Sequence, residues 1–316
     1  MELRASRIEP TGAMWRSLSG LTMDATPRIA PSAMSSAHGV VAYHRRVIPT
    51  PSPRDHGLAA SIDGTRIAWY RYGSGDSEVL FVPTWNIVDA RVVGNQVAAL
   101  ARYATVVTYD PRGAGASDRP VRGYDFPSHA ADALAVIDAT DLRRPAIVTA
   151  SRGMNTAVLL AAQHPQRVGR LAAIAPYMQL GVTAPPDPAR LEAWRTDWAG
   201  FIVPFMQNVF IEPDSDALID EMIGIGMQAS PEVAITQELE LDWAVAARLL
   251  GDVACPTLLV HGEADAGVPV SLVRSIRDTM RDARLELIAG GGHRPDIRTP
   301  DVVNPLLLGF LKDAGP

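Results

Sequence analysis

The sequence predicts an α/β fold, a mostly parallel, doubly wound sheet interrupted by one inserted helical segment. Three observations carry this. Short aliphatic and β-branched runs, such as Val106–Tyr109 and Ala146–Thr149, alternate with segments of helical periodicity. These runs are continuously aliphatic or β-branched rather than alternating with charged positions, as expected of strands covered on both faces. The alternation stops between about 178 and 252, where aromatic residues recur at helical spacing, and then resumes to the C-terminus. The implied organisation is an irregular N-terminal extension over 1–55, a core formed by 56–177 and 253–316, and a helical lid over 178–252.

The extension carries six prolines and scattered arginines with no sustained periodicity, and no compact apolar run of the kind a secretory signal needs. From Ile62 the texture changes. Ile67–Tyr70 and Val79–Val82 are strand-like and separated by Gly73-Ser74-Gly75-Asp76, which reads as a hairpin leading into the sheet. A helix over Val92–Ala101, the strand Val106–Tyr109, a helix over Ala130–Ala139 and the strand Ala146–Thr149 follow. Helical spacing from Met154 to Gln163 ends before Pro165, and Leu171–Ala175 gives the next strand. In the inserted segment Trp194, Trp198, Phe201 and Phe205 form a helical stripe, followed by helices over Ala217–Met227 and Val245–Leu250. Thr257–Val260, a helix over Ser271–Met280, Leu285–Ile288 and a terminal helix ending near Leu311 complete the pattern. In such a sheet, ligands bind beyond the carboxyl ends of the strands.

Composition excludes several classes. A net charge of -6 over 316 residues argues against a non-specific electrostatic grip on nucleic acid, and no apolar run is long enough to span a bilayer. Cys255 is the only cysteine, so no internal disulfide can form, which fits a cytoplasmic setting. No Cys/His/Asp/Glu cluster has metal-ligand spacing, and the glycines around Gly113 and Gly115 do not open a nucleotide-binding unit, so no metal or cofactor is expected. The expected partner is a small-molecule substrate; oligomeric state leaves no trace in the sequence.

The residues that carry chemistry lie at predicted strand ends. Ser151, in Thr149-Ala150-Ser151-Arg152-Gly153, follows one strand and precedes an apolar helix. A serine hydroxyl is a weak nucleophile unless a base takes its proton, and a strand–turn–helix elbow holds it exposed above the sheet. The ordinary alternative is a serine capping a helix. His293 follows a strand and the run Gly290-Gly291-Gly292, and is the best base among seven histidines. Asp265, just after the strand ending at His261, can orient that imidazole, with Glu263 as its nearest competitor. Hydrogen bonds of about 2.6–3.2 Å are expected for both links. The backbone amide of Arg152, at a helix N-terminus, can donate to a developing oxyanion.

The order Ser151, Asp265, His293 resembles that of the α/β-hydrolase superfamily, and the resemblance extends over most of 62–311. Asp110-Pro111-Arg112-Gly113-Ala114-Gly115-Ala116-Ser117-Asp118 is similar to the family's D-x-R-G-x-G-x-S-D loop, and His261-Gly262-Glu263-Ala264-Asp265 and Gly292-His293 resemble its acid and histidine segments. The resemblance implies the α/β-hydrolase fold with an inserted lid, and an esterase-like serine hydrolase. The chain departs from the pattern twice. Thr149 stands where the elbow usually has glycine, and Pro83-Thr84 replaces the usual His-Gly after the third strand. By position the second oxyanion donor falls to the amide of Trp85, with Thr84 and Asn86 as alternatives.

The Asp110–Asp118 loop is expected to be structural, with Arg112 tying it down. Trp85, Trp194, Trp198, Phe201 and Phe205 are candidates for substrate contact; for the last four, lid core is the commoner role of such a stripe. The expected activity is hydrolysis of an ester, lactone or thioester of an apolar small molecule through an acyl-enzyme. The alternatives are non-hydrolytic chemistry at the same triad (cyclisation, elimination or C–C cleavage) and ligand binding without turnover.

Overall fold

A computed structural model describes residues 48–49, 51–181 and 184–312. Among the described residues seven strands form one sheet. β1 (Asp55–Ala60) pairs antiparallel with the start of β2 (Arg66–Val82). β2 is bent, and both its arms flank β3 (Ala104–Tyr109). The first arm runs against β3, with Trp69 opposite Tyr109 and Tyr72 opposite Val106; the second runs with it, Glu78 facing Thr105 and Leu80 facing Val107. β4 (Ala146–Ala150), β5 (Arg170–Ile174), β6 (Thr257–Gly262) and β7 (Ala283–Ile288) then follow in parallel. The mostly parallel sheet is as the sequence predicts.

The expected hairpin is a correction. Ile67–Tyr70 and Val79–Val82 are not partners, because β3 lies between them. The reason lies at the bend: a Cβ on Gly73 would collide with the carbonyls of Ala101 and Ala104, and one on Gly75 with that of Tyr103. The glycines let the bend cross the entry to β3 rather than close a tight turn.

Helices cover both faces. After a 3-10 turn at Ala90–Val93 comes α1 (Gly94–Leu100), then α2 (Phe126–Ala139), whose Asp125 cap accepts from the Ser128 amide at 2.7 Å, and α3 (Gly153–Gln163). The inserted segment carries α4 (Pro188–Thr196), α5 (Trp198–Val209), α6 (Asp216–Gly226), α7 (Pro231–Glu240) and α8 (Trp243–Ala247). α9 (Val270–Thr279), the short α10 (Pro295–Arg298) and α11 (Pro300–Lys312) end the described chain. Residues of α2, α3 and α9 pack one face of the sheet, and residues of α1 and α11 the other. No helix among the described residues is long and apolar enough to cross a membrane.

The aromatic stripe is divided between two helices rather than carried by one. Asp197 ends α4 in a non-helical conformation, and its carboxylate accepts from the Gly200 amide at 2.8 Å to cap α5. α7 went unpredicted although Ser230-Pro231 is a start signal; the Ser230 hydroxyl accepts from Val233 N at 3.3 Å.

Residues 1–47 of the predicted extension lie outside the described residues. Two positions further on depart from an irregular extension. Ile48 is 2% exposed, packs in a cluster with residues of α4–α7, and donates its amide to Glu221 at 3.0 Å. Asp55 already opens β1, where edge pairing to β2 satisfies its backbone.

The Asp110–Asp118 loop is a structural hub. Arg112, its side chain 1% exposed, donates to Asp132 (2.7 and 2.6 Å), Asp63 (2.9 Å) and the Gly123 carbonyl (2.6 Å). The Asp110 carboxylate accepts from Tyr70 Oη and the amides of Ala90 and Ala116 at 2.8–3.0 Å.

Candidate active site

β4 runs directly into Ser151, and there the backbone turns over. Ser151 has φ +50°, a conformation disfavoured for an L-residue and held here because its amide donates to Ile174 O (2.8 Å) and its carbonyl accepts from Tyr177 N (3.0 Å). α3 starts two residues on. A Cβ on Gly153 would collide with Thr149 Oγ1 and stand 2.5 Å from Pro83 O, so this position must be glycine. The Thr149 hydroxyl donates to Val82 O at 2.9 Å. The elbow therefore accommodates the threonine by turning its hydroxyl into a cross-strand hydrogen bond and packing it against the glycine face of α3.

The three sequence-selected residues come together. His293 Nε2 lies 2.9 Å from Ser151 Oγ, and His293 Nδ1 lies 2.7 Å from Asp265 Oδ2. Both distances fall within the expected range. Asp265 Oδ1 accepts from the amides of Gly267 (2.9 Å) and Val268 (3.0 Å). Burial favours the neutral acid, but the neighbouring His293 and the Val268 amide outweigh it and hold the Asp265 carboxyl below the usual carboxylate range. An ionised Asp265 fixes the His293 tautomer with its proton on Nδ1, which leaves Nε2 to accept the serine proton. Glu263, the competitor, is exposed.

His261 is fully buried next to this pair. Its Nε2 lies 2.9 Å from Val268 O, its Nδ1 lies 4.0 Å from Asp265 Oδ2, and burial pushes its pKa down, so it is neutral near pH 7.

Around the nucleophile the structure gathers a layer of aromatic and charged groups. Trp85 is buried at the end of β2, its ring centroid 5.4 Å from Phe205, 5.9 Å from Phe201 and 6.0 Å from Trp194. Trp194 and Phe201 stack at 4.3 Å; Trp198 lies 5.2 Å from Phe201 and donates its indole N–H to Gly226 O at 3.1 Å. All five rings are at least nine-tenths buried against one another and their neighbours. They form the core of the inserted segment, with Trp85 reaching into it from the sheet. A small cavity of about 30 Å³ lies against the strand ends, lined by Val82, Thr84, Ala150, Ile174 and Arg294 among others.

The Arg152 side chain turns toward α7. Its Nη1 donates to Glu238 at 2.6 Å, and Arg190 of α4 reaches the same carboxylate at 3.3 Å. Its guanidinium also lies 3.7 Å from the Trp85 ring centre and 5.3 Å from that of Trp243. α7 makes two more polar contacts with the core. Gln237 donates to His129 Nε2 at 3.0 Å, and Glu240 accepts from the amides of Gly123 (2.9 Å) and Tyr124 (2.5 Å). These α7 residues were not singled out by sequence reasoning; the cap at Ser230 was the signal for the helix, but nothing local announces the partners of its side chains. Among the described residues no group of three or more His, Cys, Asp or Glu can hold a metal ion.

Comparison with known proteins gives a consistent setting. The family model for the alpha/beta hydrolase fold matches residues 90–216, a stretch that includes Ser151. The chain is 30% identical to a Synechocystis sp. protein provisionally named a non-heme chloroperoxidase, over 66% of this chain and 81% of that one. It is 27% identical to the Homo sapiens serine hydrolase BPHL, over 80% of this chain and 85% of the relative. Among solved structures, an esterase from Exiguobacterium antarcticum superimposes with a TM-score of 0.74 at 22% identity, covering 81% of this chain and 99% of that one.

Proposed function

The chain belongs to the α/β-hydrolase superfamily, and from that membership we propose that it is a serine hydrolase that cleaves an ester, lactone or thioester of an apolar small molecule. One observation carries the reading: the continuous hydrogen-bond chain Ser151 Oγ, His293, Asp265, at 2.9 and 2.7 Å, with the serine raised on a strained elbow. The human relative's name, serine hydrolase, is in keeping with it.

In this reading Ser151 Oγ attacks the carbonyl carbon while His293 Nε2 takes its proton, and Asp265 stabilises the imidazolium that results. The oxyanion is met by the amides of Arg152 and Trp85. Collapse expels the alcohol or thiol, which takes the proton from His293, and leaves an acyl group on Ser151. Water, giving a proton to the same imidazole, then attacks the acyl carbon, and the acyl–Oγ bond breaks as His293 returns that proton to Ser151, releasing the acid. The apolar side chains at the strand ends, Phe81, Val82, Ala150 and Ile174 among them, support an apolar substrate. Cys255 is the sequence's single cysteine, so no internal disulfide can form, which supports a cytoplasmic setting.

The test is labelling of the intact chain with a fluorophosphonate, followed by peptide mass mapping, alongside turnover of p-nitrophenyl esters. Mass added to the peptide bearing Ser151, and turnover lost in Ser151→Ala, are expected. Full turnover in Ser151→Ala would sink the mechanism. Pro83-Thr84 in place of His-Gly favours one second reading, non-hydrolytic chemistry at the same triad. Labelling of Ser151 without turnover of any ester, lactone or thioester in a panel would move the assignment there. A chain that binds ligand equally well as Ser151→Ala, and is never labelled, would instead be a binding protein.

A further inference from the structure

The loop presenting His293 contains three consecutive glycines, Gly290, Gly291 and Gly292. Glycine has more backbone freedom to lose than any other residue, so an imidazole kept at 2.9 Å from its partner needs this loop fixed from outside. The acid's own turn holds one side, where Ala264 N donates to Gly291 O at 2.9 Å. The segment leaving α5 holds the other. Gly292 N donates to Glu212 Oε1 at 2.6 Å, and His293 N donates to Val209 O at 3.3 Å.

The contact with Glu212 is close-fitting and braced. A Cβ on residue 292 would stand 3.1 Å from Glu212 Oε2, so glycine lets the carboxylate close on the amide. The Ser215 hydroxyl donates to Glu212 O at 2.7 Å. Arg298, five residues beyond His293, returns to the same turn, donating to Ser215 Oγ at 3.0 Å and Pro213 O at 2.6 Å. The inserted segment and the histidine loop thus close a ring of hydrogen bonds around His293. An amide bonded to a carboxylate is roughly twice as strong a link as a neutral pair, which makes Glu212 the firmest point of that ring.

We propose that Glu212 is a positioning residue for His293, holding the loop so that the imidazole meets Ser151; this rests on His293 being the base. The experiment uses the full chain, a p-nitrophenyl ester that the wild type turns over, and fluorophosphonate labelling rates. Glu212→Ala is expected to lower kcat about ten- to a hundredfold, the scale of a misplaced catalytic group, with KM within about twofold because the residue contacts the base loop rather than the substrate. Glu212→Gln keeps an acceptor oxygen for Gly292 N and should recover most of that loss. Glu212→Asp, which withdraws the carboxylate by one methylene from Gly292 N, should reproduce the defect in part.

Wild-type kcat in Glu212→Ala, or a folded Glu212→Gln no better than Glu212→Ala, overturns the proposal. If Glu212→Ala does not fold, Glu212→Asp decides alone: a selective loss of kcat supports the proposal, and wild-type kcat overturns it. A wild type that is neither labelled nor active refutes the serine-hydrolase reading itself, whereas a labelled, active wild type with an unaffected Glu212→Ala refutes only the role of Glu212.

Discussion

The guanidinium of Arg152 lies 3.7 Å from the centre of the Trp85 ring. The residue after the nucleophile is thereby stacked on the residue at the end of β2, and these are the two whose amides we propose as oxyanion donors. Glu238 draws the same guanidinium toward α7 at 2.6 Å. One planar cation thus ties both residues of the proposed oxyanion site to the inserted segment. Lysine keeps the charge for Glu238 but has no flat face to lie on an indole. Arg152→Lys should therefore lower kcat on a chromogenic ester by about tenfold, less than the hundredfold or more for losing a donor outright. Steady-state kinetics within twofold of wild type would show that the stack does not position the site.

Gly153 faces two obstacles, the Thr149 hydroxyl and the Pro83 carbonyl. Gly153→Ala should destabilise the chain by about 1–3 kcal/mol, the usual range for overpacking, and slow fluorophosphonate labelling by displacing the elbow. Thr149→Gly removes one obstacle and one buried hydrogen bond worth about 1 kcal/mol, but leaves Pro83 O at 2.5 Å. The double variant should therefore recover part of the Gly153→Ala loss. Urea denaturation of all four proteins gives the coupling directly, and strict additivity would mean that the Thr149 contact relaxes without consequence.

The legibility of the fold and site follows from what each residue depends on. Ser151, Asp265 and His293 were readable because a serine after an apolar strand, and an acid and a histidine after later strands, are fixed by chain order and strand-end position, both of which survive in one dimension. The parallel strands were readable for the same reason. β1 is illegible in the sequence because Asp55–Ala60 is an edge strand with little of the apolar signature, and the bend of β2 reads as a hairpin because glycines look alike whether they turn a chain or let one strand cross another. Glu212, Glu238 and Arg190 are unreadable on principle. Each is one charged residue among many, and its partner is 48 to 86 positions away.

Stability should also fall on mild acidification. Burial, aided by the Arg112 cation, holds the His129 pKa down to about 4 against the opposing pull of Asp132, and its Nε2 accepts from Gln237, a bond that needs the unprotonated ring. In the unfolded chain the same histidine titrates near 6.5. Between about pH 6.5 and 4 the unfolded state holds a proton that the native state lacks, so stability rises with pH and is lost as pH falls, by up to about 1.4 kcal/mol per pH unit for this group. His261, pushed down by burial, acts in the same direction, and Asp110, pushed up by burial, opposes both below its raised value. The difference between wild type and His129→Gln isolates one proton. Urea midpoints from pH 6.5 to 4.5 should decline less steeply in the variant, and parallel slopes would show that His129 is not held neutral.

Arg112 tests whether the Asp110–Asp118 loop is purely architectural. Its guanidinium ties Asp63, Asp132 and the Gly123 carbonyl together from a position 1% exposed, and Asp132 is completely buried. Removing the cation strands a buried carboxylate, and breaking such a pair from one side typically costs about 3–5 kcal/mol. Arg112→Ala should fall into that range by urea denaturation. Arg112→Lys should fall only partly short of it, since a single ammonium cannot reproduce the fork that meets Asp132 through Nε and Nη2 at once. None of these partners touches Ser151, Asp265 or His293, so whatever remains folded should keep its labelling rate and its kcat. A stable Arg112→Ala would show that the hub carries little of the fold, and a well-folded variant with kcat lost would place the loop in the chemistry after all.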